Sequence, residues 1–489
     1  MWIRQCELDV GREERSPVPT RIASNEEFIP PPQSPEQREV ELRLWAIAER
    51  AANRLGMGRR DFLRTSCGMA AALVAMNQVF GRCYEVDDDE VLDAAAFDEK
   101  WPKDQFIFDI QTHHVDVNRK WYDDTPEGQA VQRFFRSIRP ATTIEKSIET
   151  LNRVHYVKEI FLDSDTVMAV ISGVPTREWD KNPLPPDQMV ATRAFVNEIA
   201  GSQRVLSHGI LRPNMGAKEL DEMERQIKEL KIDAWKMYTG AELGEQAWWM
   251  DDEKVAYPCW ELTKKLGVKN LCVHKGLPLG LFNEEHCKPR DLQKAAKDWP
   301  DLNFIVYHSG LRSVGGLARA TGDKDPQEIP WISDIFRILE RNPVIKNIYF
   351  ELGSTFGQLS AFAPETCMHM LGQMIQTAGA DHILWGTDSI WGGSPQSQID
   401  RMRRLEIKPE LIDKYGYPEL TAEIKNQILG LNAARLLGVD PAAKRRAIQA
   451  DKLSQLKTEY RKNPQPSNTQ YGWVWLDEPG SEPAPPVGA

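Results

Sequence analysis

Eight short apolar runs follow one another along the chain, at residues 106–110, 167–172, 205–211, 234–238, 270–274, 303–308, 347–352 and 382–385. They are continuous runs, not alternations of apolar with polar, which is the pattern of strands covered on both faces of a parallel sheet. Helical periodicity fills most of the spacers, for instance 215–230, 252–266 and 331–341. Parallel strands need crossovers of that kind. Eight such units predict an α/β chain folded as a closed (β/α)8 barrel of TIM type. An open doubly wound sheet is the competing arrangement, but no Gly-rich phosphate loop follows the first run to support it.

The predicted barrel takes residues 101–440 and leaves two extensions, 1–100 and 441–489. The first holds a Pro-rich stretch at 29–32, a helical pattern at 39–55 and an acidic run at 87–90. The second starts as a charged helix and ends in a Pro-rich tail, 478–489. Within the first, Arg59-Arg60-Asp61-Phe62-Leu63 precedes a modestly apolar stretch at 69–76 and resembles a twin-arginine export signal. It starts 58 residues into the chain, with no small-residue cleavage motif close behind. The expected location is therefore periplasmic if the signal is used and cytoplasmic if it is not. The other reading of the segment is a helix packed on the main domain or on a second subunit. With 61 basic and 72 acidic side chains the net charge is −11, which excludes nonspecific grip on nucleic acid. No apolar run approaches the ~20 residues of a membrane span. Seven cysteines without repeated spacing, and without a CxxC pair, propose neither a disulfide scaffold nor a structural zinc.

The chemistry is concentrated where the runs end. The first ends in Gln111-Thr112-His113-His114, the fourth in Lys236-Met237-Tyr238, and the fifth in His274. The sixth ends in His308, the seventh in Glu351, and the eighth leads into Thr387-Asp388. Strand C-termini of a barrel converge on one mouth, so these groups are predicted to meet. Neutral imidazoles with a carboxylate, and a position left for water, make a hydrolytic divalent metal site. Each residue also has an ordinary reading. A histidine after a strand is commonly a hydrogen-bonded core residue, Asp388 can cap a turn, and Lys236 can pair with Glu351. It is the shared position on separate strands that favours one site. His114, next to His113, should point to the other side of its strand. Trp121, Trp235, Trp248, Trp249 and Trp391 fall on the loop side as candidates to wall an apolar pocket, with ordinary packing the alternative for each.

Five stretches carry a family likeness: Asp-Ile-Gln-Thr-His at 109–113, Val-His-Lys-Gly at 273–276, Pro-Asp-Leu-Asn-Phe-Ile-Val-Tyr-His-Ser-Gly at 300–310, Leu-Trp-Gly-Thr-Asp at 384–388 and Gly-Leu-Asn-Ala-Ala-Arg-Leu-Leu-Gly-Val at 430–439. Together, over about residues 104–440, the sequence resembles the amidohydrolase superfamily, in the branch that includes aminocarboxymuconate semialdehyde decarboxylase. The resemblance implies one divalent metal ion, zinc or manganese, held by His113, His274 and Asp388. It implies that His308 is an acid/base beside the metal-bound water, with Asp388 a further proton acceptor. At the first strand the family has His-x-His or Glu-x-His, where this chain has Gln111-x-His113. A neutral amide is the poorer ligand and shifts preference toward a harder ion such as manganese. Lys236 occupies the place of the carboxylated lysine of binuclear members; otherwise Lys236 and Glu351 are candidates to face a substrate carboxylate. The function implied is a metal-dependent hydrolase of a small, aromatic-tolerant carboxylate. A metal-dependent decarboxylase is the alternative, and a silent barrel with a decayed metal site is the third reading. The expected partner is a small-molecule substrate. A homodimer wrapped by the N-terminal arm and the tail around Trp473 and Trp475 is a further expectation, and the 114–165 connection is expected to cover the mouth.

Overall fold

The computed structural model describes residues 2–4, 16–22, 32–101, 104–118, 151–240, 246–278, 282–313, 325–465 and 473–475. Trp121 and most of the 114–165 connection lie outside them. Ten strands are described: β1 (Trp2–Arg4), β2 (Phe108–Thr112), β3 (Met168–Ile171), β4 (Val205–Ile210), β5 (Ala234–Tyr238), β6 (Asn270–His274), β7 (Asn303–Tyr307), β8 (Ile348–Glu351), β9 (Ile383–Leu384) and β10 (Trp473–Trp475). β2 to β9 form one parallel sheet in sequential order. The sheet closes on itself just beyond β9. Ile110 N–H donates to Trp385 O (3.0 Å) and Asp388 N–H to Gln111 O (2.9 Å), and Thr112 bridges Ser389 in parallel. The fold is the (β/α)8 barrel that the eight runs predict.

Two departures from the predicted strands have local causes. The first strand starts two residues late because Ile107 O already accepts Val167 N–H and Met168 N–H from the neighbouring strand's entry. The last strand keeps only two residues because the chain leaves extended geometry to reach Asp388, which sits at φ +61°. The helical segments run at Ala217–Arg225, Tyr257–Leu266 and Ile332–Arg341, each within its predicted span.

The N-terminal region supplies two long helices. Pro35–Leu55 is opened by a capping box between Ser34 and Gln37 and closed by Gly56 at φ +67°. Ser66–Phe80 is capped by Thr65 and buries every residue from Cys67 to Met76. A helix apolar all round needs cover on all sides. The first helix and the barrel's outer layer provide it, and the hydrophobic core is continuous from Leu73 and Phe97 into Phe356 and Met402. Tyr84 bridges Leu405, Glu85 N–H donates to Arg404 O (2.8 Å), and Glu406 N–H donates to Cys83 O (2.9 Å). The buried Arg404 adds an ion pair to Glu90 at 2.9 Å. The twin-arginine-like residues lie on the short helix Arg59–Phe62, with Arg59 paired to Glu49 at 2.8 Å. β1 and β10 pair antiparallel, which joins the two described ends of the chain to each other. Among the described residues, no helix is long and apolar enough to cross a membrane.

Candidate active site

Alternation along β2 decides which side chains enter the barrel. Gln111 and His113 face inward, whereas His114 faces out, its Nε2 2.8 Å from Thr192 Oγ1 and its ring 5.7 Å from Tyr156. Burial pushes the His114 imidazole down to about 4. From the other side of the closure comes Asp388. Its Oδ1 lies 3.0 Å from His113 Nε2 and accepts the Gln111 amide N–H at 2.8 Å, and its Oδ2 accepts the Ser354 hydroxyl at 2.6 Å. Burial works to raise the Asp388 carboxyl. The hydrogen bond and charge of His113, helped by His308 and Ser354, outweigh it and hold the group well below the usual carboxylate range.

The histidines are oriented by backbone carbonyls. His113 Nδ1 lies 2.8 Å from Ser172 O, and His308 Nδ1 lies 2.8 Å from Gly353 O. A carbonyl can only accept, so each Nδ1 carries a proton and each Nε2 is the nitrogen left to face the site. Burial first, with the Lys236 charge opposing Asp388, pushes His308 down to about 4. Burial, His308 and Lys236 hold His274 well below the ordinary imidazole value. His274 stacks on Tyr238 (centroids 4.4 Å apart, 14° between planes) and meets His308 edge-on at 4.6 Å. Lys236 Nζ sits 3.7 Å from the centre of the Tyr307 ring. Glu351 lies beneath, accepting His308 N–H (3.0 Å) and Gly353 N–H (2.6 Å), and burial raises its carboxyl well above the usual range. A Cβ on Gly353 would run into Gln111 and Glu351, and one on Gly386 into Glu351. Four non-glycine residues here, His308, Ser309, Ser354 and Asp388, adopt φ between +52° and +61°. Backbone of that kind costs about 1–2 kcal/mol per residue and collects at functional sites.

The residues can be tested against the metal ion that the resemblance implies. His113 Nε2 lies 3.0 Å from an ionised carboxylate oxygen, a separation at which a proton or a cation must lie between them. The Gln111 amide nitrogen stands 2.8 Å from Asp388 Oδ1 and 3.4 Å from His113 Nε2, which completes a triangle. Ligands on adjacent corners of an octahedron with bonds of about 2.1 Å lie about 3 Å apart, so the triangle has the spacing of one face. Gln111 Oε1 is buried without a hydrogen-bond partner among the described residues. Amide nitrogen and oxygen are exchanged by a simple flip, which would turn that oxygen into the triangle. The fit is therefore to an ion held by one imidazole, one carboxylate and one amide oxygen. Among the described residues no three His, Cys, Asp or Glu side chains converge to hold an ion by themselves. His274 keeps to Tyr238 and His308.

Of the predicted site residues, Gln111, His113 and Asp388 are in direct contact, and His274, His308, Lys236 and Glu351 line the same end of the barrel. Most of the tryptophans pack elsewhere. Trp235 is core, Trp248 lies against Trp260 (6.1 Å), and Trp249 stacks on His286 (4.3 Å). Trp391 stands 5.7 Å from His113. One contributor escaped the sequence reading. Tyr238 stands at the end of its run with Lys236, as the sequence shows, but nothing in the sequence marks Ser354.

A closed parallel barrel with imidazoles and a carboxylate gathered at its strand ends defines the class: a barrel enzyme whose site is built on histidine and aspartate. The sequence pattern of the amidohydrolase family matches residues 154–439, more than half of the chain. The chain belongs to that family. The match starts downstream of β2, the strand that carries Gln111 and His113. No curated protein matches the chain. Among solved structures it is similar to 2,6-dihydroxybenzoate decarboxylase from Rhizobium (16% identity, 68% of this chain and 99% of that one, TM-score 0.41). It is also similar to 5-carboxyvanillate decarboxylase from Sphingomonas paucimobilis (14%, 69% and 100%, 0.41). A third is 4-oxalomesaconate hydratase from Rhodopseudomonas palustris (14%, 73% and 100%, 0.39). The family assignment rests on the sequence match alone.

Proposed function

We propose that the protein is a metal-dependent enzyme that hydrolyses a small carboxylate substrate at the site around Asp388, with a divalent ion of manganese type held by Gln111, His113 and Asp388. The observation that carries this reading is the triangle of those three side chains, with His113 Nε2 and the Gln111 amide both set against one carboxylate oxygen of Asp388. When bound, such an ion supplies Lewis acidity, which lowers the pKa of water or grips a substrate oxygen. The chain's own groups do the rest. Ser354 donates to Oδ2 of Asp388, so the carboxylate keeps one orientation, with Oδ1 turned to the ion and Oδ2 the oxygen that can take a proton. His308, neutral and anchored on Gly353 O, offers Nε2 as a base that takes a proton from the attacking water and then hands that proton to the leaving group. Lys236, enclosed among Tyr307, Tyr238 and Glu351, places a positive charge near a substrate carboxylate. Decarboxylation by the same groups is the other outcome, in which a proton is delivered to the carbon that loses carbon dioxide.

The test is a substrate panel run on full-length protein loaded with manganese or zinc. Hydrolysis of amides, esters and lactones of aromatic acids is followed by chromatography, and hydroxybenzoates and muconate-like acids are followed by carbon dioxide release. Hydrolysis that stops on chelation and in Asp388→Ala is the expected result. Carbon dioxide release would make the enzyme a carboxy-lyase. Absence of both, with no manganese bound on titration, would leave a silent barrel.

A further inference from the structure

One core cluster takes a side chain from each of the strands β2 to β9, so it marks the inside of the barrel, and Phe108 and Ile110 belong to it. Strict alternation from those two would put Asp109 and Gln111 together on the outer side of β2. Gln111 is nevertheless inside, against His113 and Asp388. A bulge makes the difference. Asp109 is level with Ala169 and Thr112 with Ile171, so β2 takes three steps where β3 takes two. One extra residue reverses the facing of those that follow it. It turns Gln111, and His113 two residues on, into the barrel and leaves Asp109 behind the strand.

A bulge takes backbone groups out of the ladder, and buried ones need other partners. Ile110 O accepts the Tyr307 hydroxyl at 2.9 Å. Gln111 N–H donates to Asp109 Oδ1 at 3.1 Å. The same oxygen accepts Thr387 N–H at 3.1 Å, and Asp109 Oδ2 accepts the Thr387 hydroxyl. That hydroxyl oxygen accepts Ser389 N–H in turn, at 3.3 Å.

One fully buried carboxylate therefore grips both sides of the barrel closure. It holds β2 at the residue that carries the amide, and it holds the last loop at the residues on either side of Asp388. Asp388 sits at φ +61°, a conformation that persists only where its surroundings enforce it.

We propose that Asp109 is a positioning residue of the candidate active site: from behind β2 it sets the spacing of Gln111 and Asp388, and so the triangle they form with His113. It touches neither substrate nor ion and acts through Gln111 and Thr387. Its bearing on metal affinity rests on the proposed cation site, whereas its hold on the triangle does not.

Three variants of the full-length protein test this. Asp109→Ala removes the clasp. Asp109→Asn keeps an oxygen for both N–H groups and sets an amide against the Thr387 hydroxyl, which can accept as well as donate. Thr387→Val keeps the shape of the side chain and removes its hydroxyl. Manganese is titrated into each and followed by the free-ion electron paramagnetic signal. Asp109→Ala is expected to weaken binding by about ten- to a hundredfold, the range for loss of a group that orients ligands. Thr387→Val is expected to weaken it in the same direction, and Asp109→Asn to bind as the unmodified protein does.

The second measurement needs no metal. With ¹⁵N-labelled histidine, the His113 imidazole signal is expected to move in Asp109→Ala and in Thr387→Val, because its 3.0 Å contact with Asp388 loosens. His369, bonded to Tyr417, and His382, bonded to Lys346 O, lie away from the closure, and their signals are expected to stay. General loosening of the fold would move all three. An unmoved His113 signal in both variants overturns the proposal, whether or not the protein binds manganese. So does a shift shared equally by His369 and His382, or an Asp109→Asn variant that behaves as Asp109→Ala does. Unchanged manganese affinity in Asp109→Ala overturns it as well. Absence of manganese binding in the unmodified protein would remove the proposed cation site and leave the clasp to be decided by the His113 signal. Thr387→Val carries both readouts if Asp109→Ala is recovered unfolded.

Discussion

In the proposed site, position 111 is where the hold on a cation can be tuned. The Gln111 amide is neutral and, in the structure, gives a proton to Asp388 instead of a lone pair to an ion. Gln111→Glu adds a charged oxygen at the same reach and is expected to tighten manganese binding by about ten- to a hundredfold, read from the free-ion electron paramagnetic signal. An unchanged affinity would mean that the ion does not sit there. Asp388→Ala is expected to lower turnover by about 10²- to 10⁴-fold, the range for loss of an acid/base group. The pH dependence has a definite sign. His308 and His114 take protons near 4 when folded, against about 6.5 when unfolded. Between those values the unfolded chain binds more protons, so stability falls as pH drops from 6.5 to 4, by about 3 kcal/mol for each imidazole. Urea midpoints at pH 7 and pH 4.5 measure the effect. His113, His308 and Asp388 could be picked out in the sequence because strand ends have a fixed address in a barrel. Ser354 could not, because the left-handed residue of its turn is the serine itself and not the glycine beside it.

Among the elements, the strands could be read almost to the residue, because burial on both faces leaves unbroken apolar runs. β5 and β6 match their predicted spans at both ends. The second extension starts in charged helix, as its sequence predicts, and what fixes Lys452–Tyr460 in place is a long-range contact. Asp451 caps it through Ser454 N–H (2.7 Å) and receives Arg204 in a fork at 2.7 and 3.0 Å. Arg204 also bonds Val167 O, so one guanidinium ties β3, β4 and the C-terminal helix together. Arg204→Ala strands a buried carboxylate and is expected to cost about 3–5 kcal/mol in denaturant unfolding. A double variant with Asp451→Asn should recover part of that loss.

For the whole molecule, the N-terminal region was the least legible part. Its arginine pair and apolar stretch read as well for export as for packing, because both need the same composition. In the structure the stretch is the buried Ser66–Phe80 helix, continuous with the barrel's outer layer. Removing residues 1–80 would uncover that layer, and the shortened chain is expected to aggregate, which soluble yield and size-exclusion chromatography would show. Protein purified from its own cells is expected to retain residues 66–80 by mass spectrometry. A mature chain beginning after Phe80 would overturn that expectation and restore the export reading.

Gly353 and Gly386 leave no room beneath the histidines for even a methyl group. Any drift toward a new substrate, in nature or in a mutant library, must then come from the surrounding loops, since the floor is locked against enlargement of its side chains. Saturation mutagenesis at these two positions should return almost nothing but glycine, which would make them a cheap internal control for any selection on this scaffold.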